Sequence, residues 1–348
     1  VAPENGFAVA RLSRDFPNRS YLGGIVVSRR GLGPDDEHDS NHTFSLDGQW
    51  GIGEYALLQA FVAKTETPGA EEDEHAFRLG GSYDSERWSY NAYYTEVADD
   101  FNPEVGFLTR KGYRKPSFFV MRRIRPENLW GLLEIRPHAS YNGYWDFDGF
   151  QETGFLHLDT HWEWRSSYEL HTGINFTREG VKEAFEIYPD IWVSPGTYDN
   201  AEAQIVFYTN RGAPVSFNMR MMVGGFFGGD RLSLTPNLRF RIGETFNVEL
   251  AWNYNDIDLP EGAFRANLGQ LRLSYSFSTL INLQALIQYN DRDDIWGANL
   301  RFAWLRTANS GLYVVYNENQ DLHRSELGWT RKDRSLIVKY SYLFDLLN

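Results

Sequence analysis

Apolar and polar residues alternate one by one along most of this chain. Between residues 232 and 242 the even-numbered positions are predominantly apolar and the odd-numbered positions are polar, and the segment 246–255 repeats the pattern. Because successive side chains of a β-strand point to opposite faces, each such segment is predicted to be a strand with one apolar and one polar face. The alternation recurs from end to end, which is typical of a transmembrane β-barrel.

The periodicity predicts about 19 strands, with bounds uncertain by about 2–4 residues. They lie near 7–14, 20–29, 42–51, 54–64, 75–85, 88–97, 116–125, 129–142, 152–165, 168–177, 200–209, 214–224, 231–242, 245–255, 264–277, 280–290, 295–306, 310–318 and 335–345. Short connections alternate with long ones, which lie at 30–41, 65–74, 98–115, 143–151, 178–199, 224–230, 256–263 and 319–334. Short periplasmic turns and long extracellular loops are the arrangement of outer-membrane barrels.

Bacterial single-chain barrels usually have an even number of strands, so the expected total is 18 to 20. One more strand upstream of Val1 would complete an even number, and a hairpin within 178–199 is an alternative. We therefore treat residues 1–348 as one outer-membrane barrel domain, with a further strand expected upstream of it. Such a barrel has an interior too wide for wall side chains to fill.

The connection 98–115 combines Asn102-Pro103 and Gly106 with two pairs of basic residues. Its length and its turn-forming residues suit a loop that folds into the lumen as a constriction or a plug. An ordinary surface loop is the alternative interpretation.

Composition narrows the class of protein further. Aromatic residues make up 16% of the chain, with 11 Trp, and many lie near the ends of predicted strands, where interfacial girdles are found. The aromatic core of a soluble β-sandwich is the alternative. The absence of cysteine excludes disulfides and thiolate metal sites. The net charge of -13 argues against nucleic-acid binding, and the acidic residues concentrate in the predicted loops.

Four stretches carry a resemblance to a known family. Residues 4–12, 19–25, 100–107 and 338–344 read ENGFAVARL, RSYLGGI, DFNPEVGF and VKYSYLF. Together they resemble a bacterial outer-membrane β-barrel family of unknown function, whose full-length members often carry an N-terminal module similar to family-9 carbohydrate-binding domains. The resemblance spans nearly the whole chain and implies an outer-membrane barrel. It implies no catalytic residues.

The polar face of the predicted strands must line the barrel interior. One wall is mainly basic and the facing wall is acidic and rich in histidine. Opposed charges across a pore create a transverse field and tune selectivity. Alternatively, the arginines and acids pair with one another and rigidify a closed interior. The side chains predicted to face the lumen are Arg220, Arg239, Arg241, Arg272 and Arg301 with Glu249, and Glu134, Arg136, His138, His157, Asp159, His161, Glu163, Glu169 and His171.

Histidines and carboxylates also suggest a metal site. If residues 164 and 168 pair across a short turn, His161 faces His171 and Glu163 faces Glu169. Imidazoles with nearby carboxylates can bind Zn²⁺, which makes His157, His161 and His171 candidate ligands. Against this, side chains two apart on a strand are about 7 Å apart, too far for easy chelation. The chain is therefore predicted to hold no metal or cofactor, and a pH-sensitive lumen is an equal alternative.

Catalysis finds no support, since the chain lacks a Gly-x-Ser-x-Gly elbow, a phosphate-binding loop and a zinc-protease helix motif. The sequence predicts a porin-like channel or transporter barrel for polar or charged solutes, in the outer membrane of a Gram-negative bacterium. The alternative is a plugged structural or scaffold barrel that anchors a periplasmic or surface partner. The expected surroundings are outer-membrane lipid and lipopolysaccharide, and no nucleic acid.

Overall fold

The computed structural model describes residues 4–33, 39–70, 73–307, 310–325 and 328–343, and these form a wall of 19 antiparallel strands plus a separate two-stranded hairpin. No helix among the described residues is long and apolar enough to cross a membrane. The strands of the wall are β1 (Asn5–Phe16), β2 (Ser20–Gly31), β3 (Ser40–Ile52), β4 (Ala56–Glu66), β5 (His75–Asp84), β6 (Trp88–Val97), β7 (Tyr113–Arg122), β8 (Leu132–Trp145), β9 (Gln151–Trp164), β10 (Glu169–Val181), β13 (Gly196–Tyr208), β14 (Val215–Phe226), β15 (Gly229–Ile242), β16 (Phe246–Leu259), β17 (Gly262–Ser276), β18 (Ile281–Asn290), β19 (Ile295–Thr307), β20 (Ser310–Ser325) and β21 (Gly328–Ser341), and the hairpin consists of β11 (Phe185–Tyr188) and β12 (Ile191–Val193).

Each wall strand pairs with its neighbour in sequence, and β10 pairs with β13 across the inserted hairpin. This is the order of an up-and-down barrel, so the fold class predicted from the alternation is confirmed. Short turns suffice because consecutive strands are antiparallel.

The pairing sorts the side chains onto two faces. Across β15, β16 and β17, Leu238 lies opposite Leu250, which lies opposite Leu271. On the other face, Arg239 lies opposite Glu249 in the same way. We call these the apolar face and the polar face of the wall.

Many large apolar side chains on the apolar face are exposed, and Leu12, Leu46 and Leu79 are more than half exposed. Burying such a side chain away from water is worth about 1.5–3 kcal/mol. An uncovered face of this size is therefore unstable in water and suits the hydrocarbon of a bilayer.

Several strands extend further than the sequence predicted. The predicted loop 319–334 is mostly strand, since β20 reaches Ser325 and β21 begins at Gly328; the bounds 335–345 predicted for the last strand were therefore wrong. Within this extension the side-chain amide of Asn319 donates a hydrogen bond to Asp333 on the neighbouring strand at 2.9 Å, which helps to join the two strands. Alternation marks only the part of a strand that faces lipid. Phe344 of the family-like C-terminal stretch lies outside the described residues.

The predicted long connection 224–230 is likewise reduced to a tight turn. Its central residues, Phe227 and Gly228, have φ values of 47° and 82°. Two positive φ values in a two-residue loop give a turn whose twist matches that of the flanking strands. The strands can therefore stay paired to their tips.

The hairpin of β11 and β12 forms its own sheet, so it leaves the strand count of the wall unchanged. With 19 alternating strands, β1 and β21 run in the same direction. Within the parts of the chain that the structure describes, no ladder joins these two strands. The additional strand that would pair antiparallel with both remains a prediction.

Candidate functional site

The strand register collects the sequence-predicted side chains on the polar face. His138 on β8 lies opposite Asp159 on β9. Following the paired residues from each strand to the next shows that Arg301 on β19 lies on the same face. All of the following share this face: Glu134, Arg136, His138, His157, Asp159, His161, Glu163, Glu169, His171, Arg220, Arg239, Arg241, Glu249, Arg272 and Arg301.

The arginines from β14 to β19 form one feature, which we call the arginine stripe. All five of its members are exposed: Arg220, Arg239, Arg241, Arg272 and Arg301. Within the stripe, Arg272 Nη1 lies 3.7 Å from Glu249 Oε2, which is a long distance for an ion pair. Among the described residues, Arg220, Arg239 and Arg301 form no ion pair. The stripe therefore presents positive charge that the wall itself does not neutralise.

The acidic side of the polar face is neutralised internally by what we call the Arg136 cluster. Arg136 Nη1 lies 2.9 Å from Glu163, and Nη2 lies 2.6 Å from Glu169. Glu134 lies 3.5 Å from the same guanidinium and accepts a 2.8 Å hydrogen bond from Arg125. Three carboxylates thus share two arginines, so most, though not all, of the negative charge on this side is balanced within the wall.

Beside the Arg136 cluster lies a histidine cluster around Asp159. Its four imidazoles belong to His138, His157, His161 and His171. The expected register is present, with His161 opposite His171. These two rings stack with centroids 3.4 Å apart. Asp159 Oδ2 lies 3.4 Å from His157 Nε2 and 3.6 Å from His161 Nε2. The side-chain tips therefore lie closer together than the expected 7 Å spacing along one strand, because the imidazoles of His157 and His161 lean toward the carboxylate between them.

Sequence reasoning did not count His138 among the candidate ligands. It comes from the neighbouring strand, where its ring meets that of His161 edge-on at 4.7 Å. The ladder of β8 and β9 decides this contact, and the ladder contains a bulge near Glu134. Such irregularities cannot be read from alternation alone.

The connection after β6 packs onto the polar face. Phe101 is 6% exposed and contacts Ala63, Ala76 and Val97, which all lie on that face. Thr65 accepts a hydrogen bond from the backbone N–H of Asn102 at 3.1 Å. This end of the connection therefore lies against the polar face, and whether it constricts a lumen remains a prediction.

The β11–β12 hairpin also lies across the polar face, a placement that the alternation did not predict. Val193 packs against Ile257 and Leu259, which belong to that face of β16. Tyr188 stacks on Phe264 of β17 at 4.4 Å. The only sequence signal was the apolar character of residues 185–193 within a predicted loop.

An ion pair joins the loops at the base of this hairpin. Lys182 Nζ lies 2.6 Å from Asp146 Oδ2. The hydrogen bond from Lys182 holds the pKa of the Asp146 carboxyl below its usual range. At neutral pH the pair links the β8–β9 turn to the start of the hairpin.

No family model matches the chain, and no curated protein matches it. Among solved structures, 97% of the chain aligns with 96% of Pseudomonas aeruginosa OccK7 (OpdD), at 12% identity and a TM-score of 0.37. That likeness is distant, so the fold assignment rests on the strands and pairing of this chain.

Proposed function

We propose that this chain forms a porin-like channel in the outer membrane of a Gram-negative bacterium, with a preference for anionic and polar solutes. The apolar face supports the membrane location, because it carries exposed leucine, valine and aromatic side chains around the wall. A wall of 19 or 20 strands encloses more space than its own side chains fill.

The arginine stripe is the observation that carries the solute preference. Its guanidiniums are exposed on the polar face, whereas the opposing carboxylates are tied up in the Arg136 cluster. Exposed charges inside a pore attract counter-ions and tune selectivity. The balance on the polar face therefore favours anions, although the whole chain carries a net charge of -13.

Two segments narrow this pathway at one end of the barrel. They are the 98–112 connection and the β11–β12 hairpin, and both follow even-numbered wall strands. Each packs its apolar side chains against the polar face of the wall. Solutes pass between these two segments and then along the arginine stripe.

The test is conductance in a planar bilayer under a salt gradient, with selectivity read from the reversal potential. The purified protein should give stable steps and select anions. Neutralising Arg220, Arg239 and Arg272 to glutamine together should move the reversal potential toward cation selectivity. Arg122→Gln is the matched control, because Arg122 is an exposed arginine on the apolar face. Cation selectivity of the wild type, or equal shifts in both variants, would contradict the proposal.

A plugged scaffold barrel is the second candidate, and the inward packing of the same two segments favours it. Among the described residues β1 and β21 each have one edge without a ladder, and these edges would then accept a strand of a partner by β-addition. Members of the family that this chain resembles often carry an upstream module similar to carbohydrate-binding domains, and such a module would be one part for the barrel to anchor. An absence of conductance together with a stoichiometric co-purifying protein would select this candidate.

A further inference from the structure

Asp159 is a buried carboxylate that pairs with no arginine or lysine among the described residues. Its side chain is 1% exposed, and neither carboxylate oxygen accepts a hydrogen bond of good geometry. Burying an ionised carboxylate without a partner is strongly unfavourable. Glu202 on the same face provides the contrast: it is 3% exposed, and Arg231 donates to it from two nitrogens.

In their neutral forms, the surrounding histidines offer lone pairs and no cation. His138 Nδ1 lies 3.2 Å from the backbone oxygen of Arg136, and His157 Nδ1 lies 2.6 Å from Asn175 Oδ1. Both oxygens can only accept, so each Nδ1 donates and each neutral ring carries its lone pair on Nε2. In the neutral ring of His157, Nε2 would turn its lone pair toward Asp159, 3.4 Å away. A cation beside Asp159 removes this repulsion.

The same pattern is found around metal-bound histidines. Ligating imidazoles usually donate their second nitrogen to a carbonyl or carboxylate, which fixes the ring for coordination. His138 has this arrangement through the backbone oxygen of Arg136.

The spacing of donors also fits one ion. Ligand atoms of His138, Asp159 and His161 all lie within 4.8 Å of one another. Two ligands about 2.1 Å from a tetrahedral ion stand roughly 3.4 Å apart. The observed separation of His161 Nε2 and Asp159 Oδ2 is 3.6 Å.

A second group, His161, Glu169 and His171, is equally compact but chemically less suited. Glu169 is already engaged by Arg136 at 2.6 Å. The rings of His161 and His171 are parallel to within 7°. Ring lone pairs lie in the ring planes, so stacked imidazoles do not converge on one ion.

We propose that His138, Asp159 and His161 bind one divalent transition-metal ion of the zinc class on the inner wall of the barrel. Two imidazoles and one carboxylate suit Zn²⁺, Ni²⁺ or Cu²⁺ better than Mg²⁺ or Ca²⁺. Three protein ligands leave a coordination position for water or a solute group. This site stands independently of the conductance proposal, because it rests on the Asp159 environment alone.

The experiment is a titration of tag-free, detergent-purified protein with Co²⁺ and Zn²⁺, followed by calorimetry and by the visible absorption of bound Co²⁺. The wild type should bind one equivalent. Asp159→Asn and His161→Ala should each weaken binding at least 10-fold. His171→Ala should bind as the wild type does, which separates the proposed triad from the second group. His75→Ala is the remote control, since that histidine pairs with Glu96 on another part of the wall.

Heat-modifiable mobility on gels would check that each variant is folded. Absence of stoichiometric binding by the wild type would overturn the proposal without reference to any variant. Full binding by folded Asp159→Asn, or loss of binding in His171→Ala, would overturn the assignment of the ligands. Because binding is measured without a membrane potential, its failure is distinguishable from a failure of conductance.

Discussion

Replacing Arg136 by methionine tests whether the acidic side of the inner wall is held together by one guanidinium. Arg136 is 22% exposed and bonds Glu163 and Glu169 at 2.9 and 2.6 Å. Methionine keeps much of the apolar stem but leaves both carboxylates without their cation. Glu134 retains Arg125, so the loss falls mainly on the other two acids.

The magnitude follows from these contacts. A hydrogen bond to a charged group contributes about 1.5–3 kcal/mol, and removing one partner of a buried ion pair costs about 3–5 kcal/mol. Partial exposure to water in the lumen screens the charges, which places the expected loss of unfolding free energy near the lower limit, about 3 kcal/mol.

The assay is equilibrium unfolding by urea in lipid vesicles, followed by tryptophan fluorescence. Arg220→Met is the control, because that arginine is exposed and forms no ion pair with the described residues; it should change stability by less than about 0.5 kcal/mol. Adding Glu163→Gln and Glu169→Gln to Arg136→Met should recover at least half of the loss, since the amides remove the uncompensated charge. A loss below about 1 kcal/mol, or no recovery, would refute the reasoning.

Three further predictions concern the pore and its loops. Glu249→Gln should make the channel more anion-selective, because it removes the acid within the arginine stripe; a reversal potential that moves toward cation selectivity would contradict this. Phe101→Ala should raise the single-channel conductance and its noise, because it empties the apolar anchor of the 98–112 connection; unchanged traces would mean that the connection does not constrict the pore. Lys182→Met should return the pKa of Asp146 toward its usual range, as measured by carboxyl NMR. Because that pKa is lowered in the folded protein, the ion pair contributes its full stability at pH values above the ordinary aspartate pKa. This contribution is lost as the pH falls through the lowered pKa. An unaltered titration of Asp146 in the variant would exclude Lys182 as the cause.

The polar face was predictable residue by residue, and its pairings were not. Alternation places Arg239 and Glu249 on one face whatever the register, since neighbouring side chains on a strand point to opposite sides. Whether a given arginine is exposed or bonded depends on which strands lie beside it. For that reason the sequence could not distinguish the exposed arginine stripe from the tightly paired Arg136 cluster.

The candidate metal site shows the same limit. His157, Asp159 and His161 are recognisable from sequence as inward-facing neighbours, but their apparent spacing argued against chelation. The convergence of His161 on Asp159 comes from side-chain direction, and His138 enters from another strand.

The sequence by itself determined the strands, their two faces and the lipid-facing side, because these follow from a period of two that acts locally. Tertiary structure alone decided the contacts that cross the wall. Segments with no alternation, such as the β11–β12 hairpin and the connection holding Phe101, are positioned by apolar contacts with residues distant in sequence. The burial of Asp159 is likewise a property of three adjacent strands, since no strand can enclose its own side chain.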